Sequence, residues 1–250
     1  MVIGLLFTGG EGPGPQHINT IMEEANTLSG GELVLVAADS GLLLAERARV
    51  VPDWIVGDMD SLGEHDKNGL RRLDAYPPER IIRHPHDKDF TDTELAFSLL
   101  REKGCGTIWI IGGGGGRLDQ LFGIRSLFER DDPPERWITA ADDIRCIGTA
   151  HSLVSEVSVS HNSPLCPVSV FPLGCGPWEA ESSGLKWPLA GLLWARDFIA
   201  ISNEAPDGTF TITARQGRFL IMWPLWHLLH YCREELITRR TQSRRGKKGY

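Results

Sequence analysis

The sequence predicts an α/β domain with a doubly wound, mostly parallel sheet, followed by an all-β domain of the sandwich or jelly-roll type. Up to about residue 142, short apolar runs alternate with segments of helical periodicity. From residue 143 onward, short alternating segments rich in β-branched residues are separated by Gly, Pro, Asn and Asp. We therefore expect an α/β domain at 1–142, a β-domain at 143–222, and a C-terminal extension at 223–250 that is partly helical or disordered.

Six short apolar runs are the predicted strands of the first domain. They are residues 2–7, 33–38, 54–56, 80–83, 107–111 and 136–140. The segment FTDTELAFSLLREKG predicts a helix from Asp92 to about Lys103, because Thr91 and Glu94 fit a capping box and Gly104 follows as a stop. The predicted buried stripe of this helix is Ala96, Leu99 and Leu100.

A second helix is predicted after the five consecutive glycines at 112–116, with apolar residues at helical spacing: Leu118, Leu121, Phe122 and Phe128. Glycines let backbone N–H groups approach a phosphate, and a helix N-terminus adds partial positive charge. The run lacks the Lys-Ser/Thr of a Walker A loop and the spacing of a dinucleotide fingerprint, so a flexible connection is an equal alternative. Arg117 and Asp119 favour the phosphate loop, since a guanidinium can brace phosphoryl oxygens while a carboxylate takes a metal, a water or a hydroxyl proton.

The overall composition argues for a reduced, acidic globular protein. A net charge of −7 argues against a protein that coats nucleic acid, and between Asp53 and Glu94 there are 11 acidic against 6 basic residues. The five cysteines are spaced neither as a disulfide framework nor as a zinc site. Because the N-terminus lacks the features of a signal peptide and no apolar run reaches membrane-spanning length, we expect a cytoplasmic protein without a membrane partner.

Aspartates crowd the segments VGDMDSL and HDKDFTDTELA, which are only about thirty residues apart: Asp58, Asp60, Asp87, Asp89 and Asp92. Neighbouring carboxylates are costly unless a cation lies between them. An all-oxygen set suits Mg²⁺, so we predict Mg²⁺ as the cofactor. For Asp92 alone, the simpler alternative is a favourable charge at a helix N-terminus. His84 and His86 raise zinc as an alternative, but no Cys or further His follows at ligand spacing.

Five stretches, taken in this order, resemble the thiamin pyrophosphokinase family over about residues 3–222. AADSGLLLAERARVVPDWIVGDMDSL, DKDFTDTELAFSLL and GGGGGRLDQLFGI are similar to its catalytic domain, while SSGLKWPL and FIAISNEAPDG are similar to its thiamin-binding β-domain. The resemblance implies transfer of the β,γ-pyrophosphoryl group of ATP to the hydroxyl of thiamin, with Mg²⁺, giving thiamin diphosphate and AMP. It also implies a homodimer with each thiamin site between the catalytic domain of one subunit and the β-domain of the other.

The same resemblance implies most of the roles predicted for individual residues. Four further residues are added from the sequence patterns alone, because of their positions at a strand end, in the acidic cluster and in the glycine run: Asp39, Asp89, Gly115 and Gly116. The catalytic set is Asp58, Asp60, Asp92, Arg117 and Asp119, and the metal ligands are Asp58, Asp60, Asp89 and Asp92. The ATP-binding set is Asp39, Thr91, Gly115, Gly116 and Arg117. The thiamin-binding set is Asp92, Trp187, Ser202 and Asn203. Asp92 is also the candidate general base for the thiamin hydroxyl.

Simpler explanations exist for several of these residues and for the activity. Without the resemblance, Trp187 is more often a core aromatic, and Asp39, Ser202 and Asn203 pass as turn residues. Two other functions are a metal-dependent phosphohydrolase, in which water replaces the thiamin hydroxyl, and a non-catalytic nucleotide- or thiamin-binding module.

Overall fold

The computed structural model describes residues 1–62, 71–87, 89–149, 153–160 and 166–225. These residues form two compact units. The first ends at Cys146 and includes Leu153, whereas the second comprises Ile147–Thr149 and the described residues from Val154 onward.

The first unit alternates strands and helices along the chain. Its strands are Ile3–Thr8 (β1), Leu33–Ala38 (β2), Trp54–Gly57 (β3), Ile81–Arg83 (β4), Thr107–Gly112 (β5), Arg136–Ile138 (β6) and Asp142–Gly148 (β7). Its helices are Pro15–Ser29 (α1), Gly41–Arg47 (α2), Asp92–Glu102 (α3) and Leu118–Leu127 (α4). Three short 3-10 turns, Asp60–Leu62, Arg72–Ala75 and Pro78–Arg80, connect β3 with β4. The six predicted strands are all present, and no end differs from the predicted one by more than two residues. The expected domain boundary at 142/143 falls at the start of β7.

The strands of this unit are ordered β4-β3-β2-β1-β5-β6-β7. The first six are parallel, and β7 runs antiparallel to β6. From β1 the chain moves outward to β4 and then returns to the other side of β1 as β5. The crevice between β1 and β5 is therefore a topological switch point, where doubly wound sheets bind their ligands.

The central strands of this sheet are buried on both faces. All six residues of β1 and all six of β5 are buried, which explains why both read as continuous apolar runs rather than alternating ones. Trp109 at the centre of β5 is fully buried and lies under the guanidinium of Arg136, 4.8 Å from the ring centroid. The sheet thus provides a rigid platform for the loops at its edges.

Helix α3 begins as predicted, and its buried face differs from the predicted one at Phe97 and Leu99. The Thr91 side chain accepts a hydrogen bond from the Glu94 N–H, and the Glu94 side chain accepts one from the Thr91 N–H, which confirms the capping box. Ala96 and Leu100 are buried as expected. Phe97 is buried as well, whereas Leu99 is only half-buried.

The apolar residues whose spacing predicted α4 do not all lie on its buried face. Leu118 and Phe122 are exposed, and the buried residues near the end of the helix are Ile124, Leu127 and Phe128. Apolar residues lie on two faces of this helix, so periodicity predicts the helix without identifying its buried face. Contact with the sheet determines which face is buried.

The second unit is built of antiparallel strands. They are Glu156–Ser160 (β8), Cys166–Leu173 (β9), Glu179–Ser183 (β10), Ala200–Ala205 (β11), Thr209–Gln216 (β12) and Arg218–Pro224 (β13). Two antiparallel arrangements, β11-β9-β13 and β10-β12-β8, contribute to one apolar core that includes Val168, Phe210 and Phe219. The predicted extension begins inside β13, and its residues 226–250 lie outside the described part of the chain. Within that described part, no helix is long and apolar enough to span a membrane.

Candidate active site

A cavity of about 680 Å³ opens at the carboxyl edge of the parallel sheet in the first unit. Loops after β1, β2, β3 and β5 and the N-terminal ends of α3 and α4 form its walls. The predicted site residues that line it are Asp39, Asp58, Asp60, Asp89, Thr91, Asp92, Gly115, Gly116 and Arg117. The structure therefore brings together residues from four separate stretches of sequence at the switch point of the sheet.

Carboxylates converge on one side of this cavity. One ligand oxygen each from Asp39, Asp58 and Asp92 lies within 4.8 Å of the others. A second group, made of Asp58, Asp60 and His86, meets the same distance limit and shares Asp58 with the first. Three carboxylates at this separation repel one another strongly unless a cation or a proton is shared between them.

The local backbone explains why these carboxylates meet. Asp39 follows β2 with a left-handed φ of 45°, and its N–H donates to the Val56 carbonyl (2.8 Å), which fixes it beside the end of β3. Gly57 ends β3 with φ 149°, and a Cβ placed there would lie 3.2 Å from both the Asp39 Cβ and the Asp92 carboxyl carbon. A side chain at position 57 would thus crowd two of the three carboxylates.

Helix α3 holds Asp92 in place from the other direction. Asp92 is the first residue of the helix, and the neighbouring Thr93 shares a buried hydroxyl–hydroxyl hydrogen bond of 2.7 Å with Thr8 at the end of β1. The Thr91 hydroxyl, predicted to contact the nucleotide, is engaged in the capping box with Glu94.

The surroundings of Asp39 change the pKa of its carboxyl group. Burial raises its pKa above the ordinary 3.8, and the charges of Asp92 and Asp58 raise it further, while hydrogen bonds from Ser61 and the Ser40 backbone partly offset the effect. Its Oδ1 is buried and has no hydrogen-bond partner among the described residues. A buried carboxylate oxygen of this kind, aimed among other carboxylates, fits a hard divalent cation with oxygen ligands.

The exposed side of the acidic cluster is less constrained. The Asp60 Oδ1 accepts a hydrogen bond from the Ser61 hydroxyl (2.9 Å), and the Asp60 N–H donates to Asp58 Oδ1 (3.2 Å). His86 Nε2 lies 3.8 Å from Asp60 Oδ2, and its side chain is largely exposed. One histidine beside two carboxylates is not a typical zinc set, whereas the oxygen-rich group around Asp58 suits Mg²⁺.

Two glycine-rich loops face this cluster across the switch point. The loop after β1 pairs with the glycine run at 112–116 through the main chain: Glu11 N–H donates to Gly114 O (2.6 Å), and Gly114 N–H donates to Glu11 O (2.8 Å). Gly112 has φ 103°, and a Cβ there would lie 2.4 Å from the Thr8 carbonyl oxygen. The run is thus required by close backbone packing, which argues against a merely flexible connection.

Arg117 and Asp119, which follow the glycine run, pair with each other. Arg117 Nε and Nη2 donate to the two Asp119 oxygens at 3.1 and 2.5 Å, and both side chains are exposed. This hydrogen bonding lowers the pKa of Asp119. Arg117 lines the cavity together with Gly115 and Gly116, whereas Asp119 is not among the residues that line it.

Of the predicted thiamin-binding residues in the second unit, Trp187 lies in the loop between β10 and β11, and Ser202 and Asn203 lie in β11. Trp187 is 52% exposed, which contradicts the alternative of a core aromatic. Ser202 is exposed with φ 55°, at an irregularity in the pairing of β11 with β9. Asn203 is buried, and its amide bonds to the main chain of Trp187.

Several residues that line the cavity were not predicted from the sequence. They include Gly9, Gly10, Glu11, Ser40, Ser61 and Thr93. A signal was available for the first three, because the segment GGEGPG directly follows a predicted strand, and the carboxyl ends of parallel strands share one edge.

Comparison with known proteins identifies relatives of this chain. Residues 26–133 match the family described as "Thiamin pyrophosphokinase, catalytic domain". Thiamine pyrophosphokinase 2 of Arabidopsis thaliana is 28% identical over 175 residues, covering 66% of this chain and 63% of that protein. The thiamine pyrophosphokinase of Bacillus subtilis is 26% identical over 188 residues, covering 75% of this chain and 85% of that protein.

A solved structure extends the likeness to the fold. The crystal structure of the Bacillus subtilis thiamine pyrophosphokinase matches with a TM-score of 0.67 at 21% identity, over 90% of this chain and 99% of that one. At this identity the match establishes a shared fold. The chain spans less than two thirds of the length of its plant relatives, 63% for the Arabidopsis protein.

Proposed function

We propose that the protein transfers the pyrophosphoryl group of ATP to the hydroxyl of thiamin, because residues 26–133 match the catalytic-domain family of the thiamin pyrophosphokinases, which the sequence motifs also resemble. The observation that supports the proposal most is the convergence of Asp39, Asp58 and Asp92 opposite the paired glycine loops at the strand switch point. Thiamin diphosphate and AMP are the products.

The carboxylates hold Mg²⁺ in this proposal. Asp58 belongs to both carboxylate groups, so it is the central ligand, with Asp39 and Asp92 on the buried side and Asp60 on the exposed side. Asp89 also lines the cavity and is a further predicted ligand. Bound Mg²⁺ neutralises the charge that develops on the transferring phosphates. Because the buried Oδ1 of Asp39 has no hydrogen-bond partner within the described part of the chain, we add Asp39 to the ligand set predicted from the sequence.

The opposite wall binds the phosphates. Gly115 and Gly116 line the cavity and carry no side chain that would keep a phosphate from their main chain, and the first turn of α4 adds its partial positive charge. Arg117 supplies the guanidinium for the phosphoryl oxygens. Its partner Asp119 orients Arg117 through two hydrogen bonds, so we assign Asp119 to that supporting role in catalysis.

In this proposal the indole of Trp187 stacks on thiamin. Thiamin brings a cationic thiazolium, and an exposed indole face adds about 0.5–2 kcal/mol of cation–π attraction. Asp92 attracts the same cation and is the candidate base for its hydroxyl. We further propose a homodimer, in which the first unit of one subunit and the second unit of its partner form each thiamin site. The second unit is a β-sandwich in this proposal.

The assay is AMP release from ATP and Mg²⁺ in the presence and absence of thiamin. Thiamin-dependent AMP release is the expected result. Thiamin-independent phosphate release indicates a phosphohydrolase, and binding without turnover indicates a non-catalytic module.

Replacing Asp58 tests the metal site within this assay. We expect Asp58→Asn to lower kcat by about 10²–10³-fold, because the central ligand loses its charge. The matched control is Asp74→Asn, at an exposed aspartate outside the cavity, which should leave kcat unchanged. Normal turnover by Asp58→Asn would refute the metal-site assignment.

A further inference from the structure

The side chain of Asn203, in β11, forms hydrogen bonds with the main chain of the loop that contains Trp187. Asn203 Oδ1 accepts hydrogen bonds from the Trp187 N–H (3.2 Å) and the Glu204 N–H (2.8 Å), and its Nδ2 donates to the Trp187 carbonyl (2.7 Å). Two N–H groups face one end of the amide and a carbonyl faces the other, so the amide orientation is fixed by its partners. Both peptide groups flanking the Trp187 Cα are thereby held by one side chain.

The neighbouring residues restrain the indole itself. Lys186 N–H donates to the Glu204 carbonyl (2.8 Å), and the Lys186 ammonium pairs with the Glu204 carboxylate (2.8 Å). The same ammonium lies 4.5 Å from the centroid of the Trp187 ring and covers one of its faces. Main chain and ring are thus both fixed from β11, while about half of the Trp187 surface stays exposed.

We propose that Asn203 is a positioning residue, which acts on thiamin through Trp187 and does not itself bind the vitamin. This inference rests on the proposed function and reassigns one residue of the predicted thiamin set. Both acceptor lone pairs of the Asn203 amide are used by main-chain N–H groups, and only 4% of the residue is exposed. Asn203 therefore has almost no exposed surface, and no free acceptor on its side-chain amide, with which to contact a ligand.

The physical gain from this arrangement is preorganisation. Cation–π attraction depends on the position of the ring relative to the cation, and a ring that must be ordered on binding lowers the affinity. Because Asn203 fixes the direction of the Trp187 Cα–Cβ bond before thiamin arrives, its removal acts on thiamin and not on ATP. We expect Asn203→Ala to raise the KM for thiamin about five- to tenfold, with the KM for ATP unchanged.

A double-mutant cycle distinguishes positioning from direct contact. The Kd of thiamin is measured with Mg²⁺ and an unreactive ATP analogue for the unaltered protein, Asn203→Ala, Trp187→Ala and the double variant. If Asn203 acts through Trp187, its replacement has no further effect once Trp187 is gone. Multiplicative losses of affinity in the double variant would overturn the proposal.

A second measurement is independent of thiamin. Hydrogen exchange at the amides of Trp187 and Glu204 should be about five- to tenfold faster in Asn203→Ala than in the unaltered protein. Asn203→Asp keeps both acceptor contacts and should show a smaller increase in exchange rate.

Ser182→Ala is the matched control. The Ser182 hydroxyl accepts a hydrogen bond from the Leu189 N–H (3.0 Å) in the same loop, so its removal should leave exchange at Trp187 unchanged. Unchanged exchange in Asn203→Ala would refute positioning. A lack of thiamin binding by the unaltered protein would refute the proposed function instead.

Discussion

Asp39 illustrates at the residue scale how a binding site lowers the stability of its own protein. Its pKa lies above 3.8 in the folded chain because burial and the charges of Asp92 and Asp58 disfavour its ionised form. A carboxyl group with a raised pKa contributes stability that is fully present below the unfolded pKa and is lost as pH rises through the folded one. At neutral pH the ionised Asp39 therefore destabilises the protein in the absence of a metal.

Replacing Asp39 should reverse this effect. We expect Asp39→Asn to raise the Tm of the metal-free protein by about 1–3 °C at pH 7, with the difference disappearing below pH 3.8. Mg²⁺ should raise the Tm of the unaltered protein more than that of the variant, because the variant lacks one ligand. Thermal unfolding with and without Mg²⁺ measures both effects. A variant with a lower Tm at pH 7 would show that Asp39 is not under electrostatic strain.

At the scale of elements, one buried guanidinium connects α1, β6 and β7. Arg136, fully buried in β6, donates to both carboxylate oxygens of Asp143 in β7 (2.8 and 2.6 Å) and to Glu24 in α1 (2.7 Å). Burial opposes ionisation of Glu24, but the charges of Arg136 and Arg145 outweigh it and lower its pKa from 4.5 to about 2. Glu24 therefore contributes stability that is fully present above pH 4.5 and is lost as pH falls to about 2.

Removing the Glu24 charge should destabilise the protein. We expect Glu24→Gln to lower the free energy of unfolding by about 2–3 kcal/mol at pH 7, since a buried cation loses one of its two partners. Urea unfolding between pH 7 and pH 3 measures the loss, which should shrink as pH falls below 4.5. Glu23→Gln, on the exposed side of the same helix, is the control and should change stability by less than about 0.5 kcal/mol. Equal effects of the two variants would show that the network adds no stability.

Comparing elements also shows which features the sequence could predict. The strands and the start of α3 follow from local patterns, since apolar runs and the Thr91–Glu94 capping box depend on residues within a few positions. The periodicity of α4 predicts a helix but does not determine its buried face, because contact with the sheet selects that face. The pairing of Glu11 with Gly114 joins loops about a hundred residues apart, and no local pattern encodes it.

The same distinction applies to the predicted site residues. The carboxylate cluster was predictable because parallel strands deliver their carboxyl ends to one edge, so acidic residues after β2 and β3 meet there. The partners of individual side chains were not predictable. Asp119 pairs with Arg117, and Asn203 bonds to the main chain of Trp187, because folded geometry places a complementary group within reach.

For the whole molecule, the proposed homodimer makes a prediction about complementation. If each thiamin site combines the first unit of one subunit with the second unit of its partner, Asp58→Asn and Trp187→Ala inactivate different halves of the same site. A heterodimer with one variant subunit of each kind then has one site with both changes and one site with neither. Sites formed within single chains would instead carry one change each.

Co-expression with two different affinity tags provides the test. Purified heterodimers of Asp58→Asn and Trp187→Ala subunits should show about half the activity of the unaltered dimer, at a thiamin concentration well below the KM of the Trp187→Ala homodimer. Each variant homodimer, purified in the same way, is the control and should be nearly inactive under these conditions. Because an intact site arises only when the unaltered first unit of one subunit meets the unaltered second unit of the other, recovery of activity requires a shared site. Heterodimers no more active than the homodimers would refute the shared site while leaving the carboxylate cluster and Trp187 in their proposed roles.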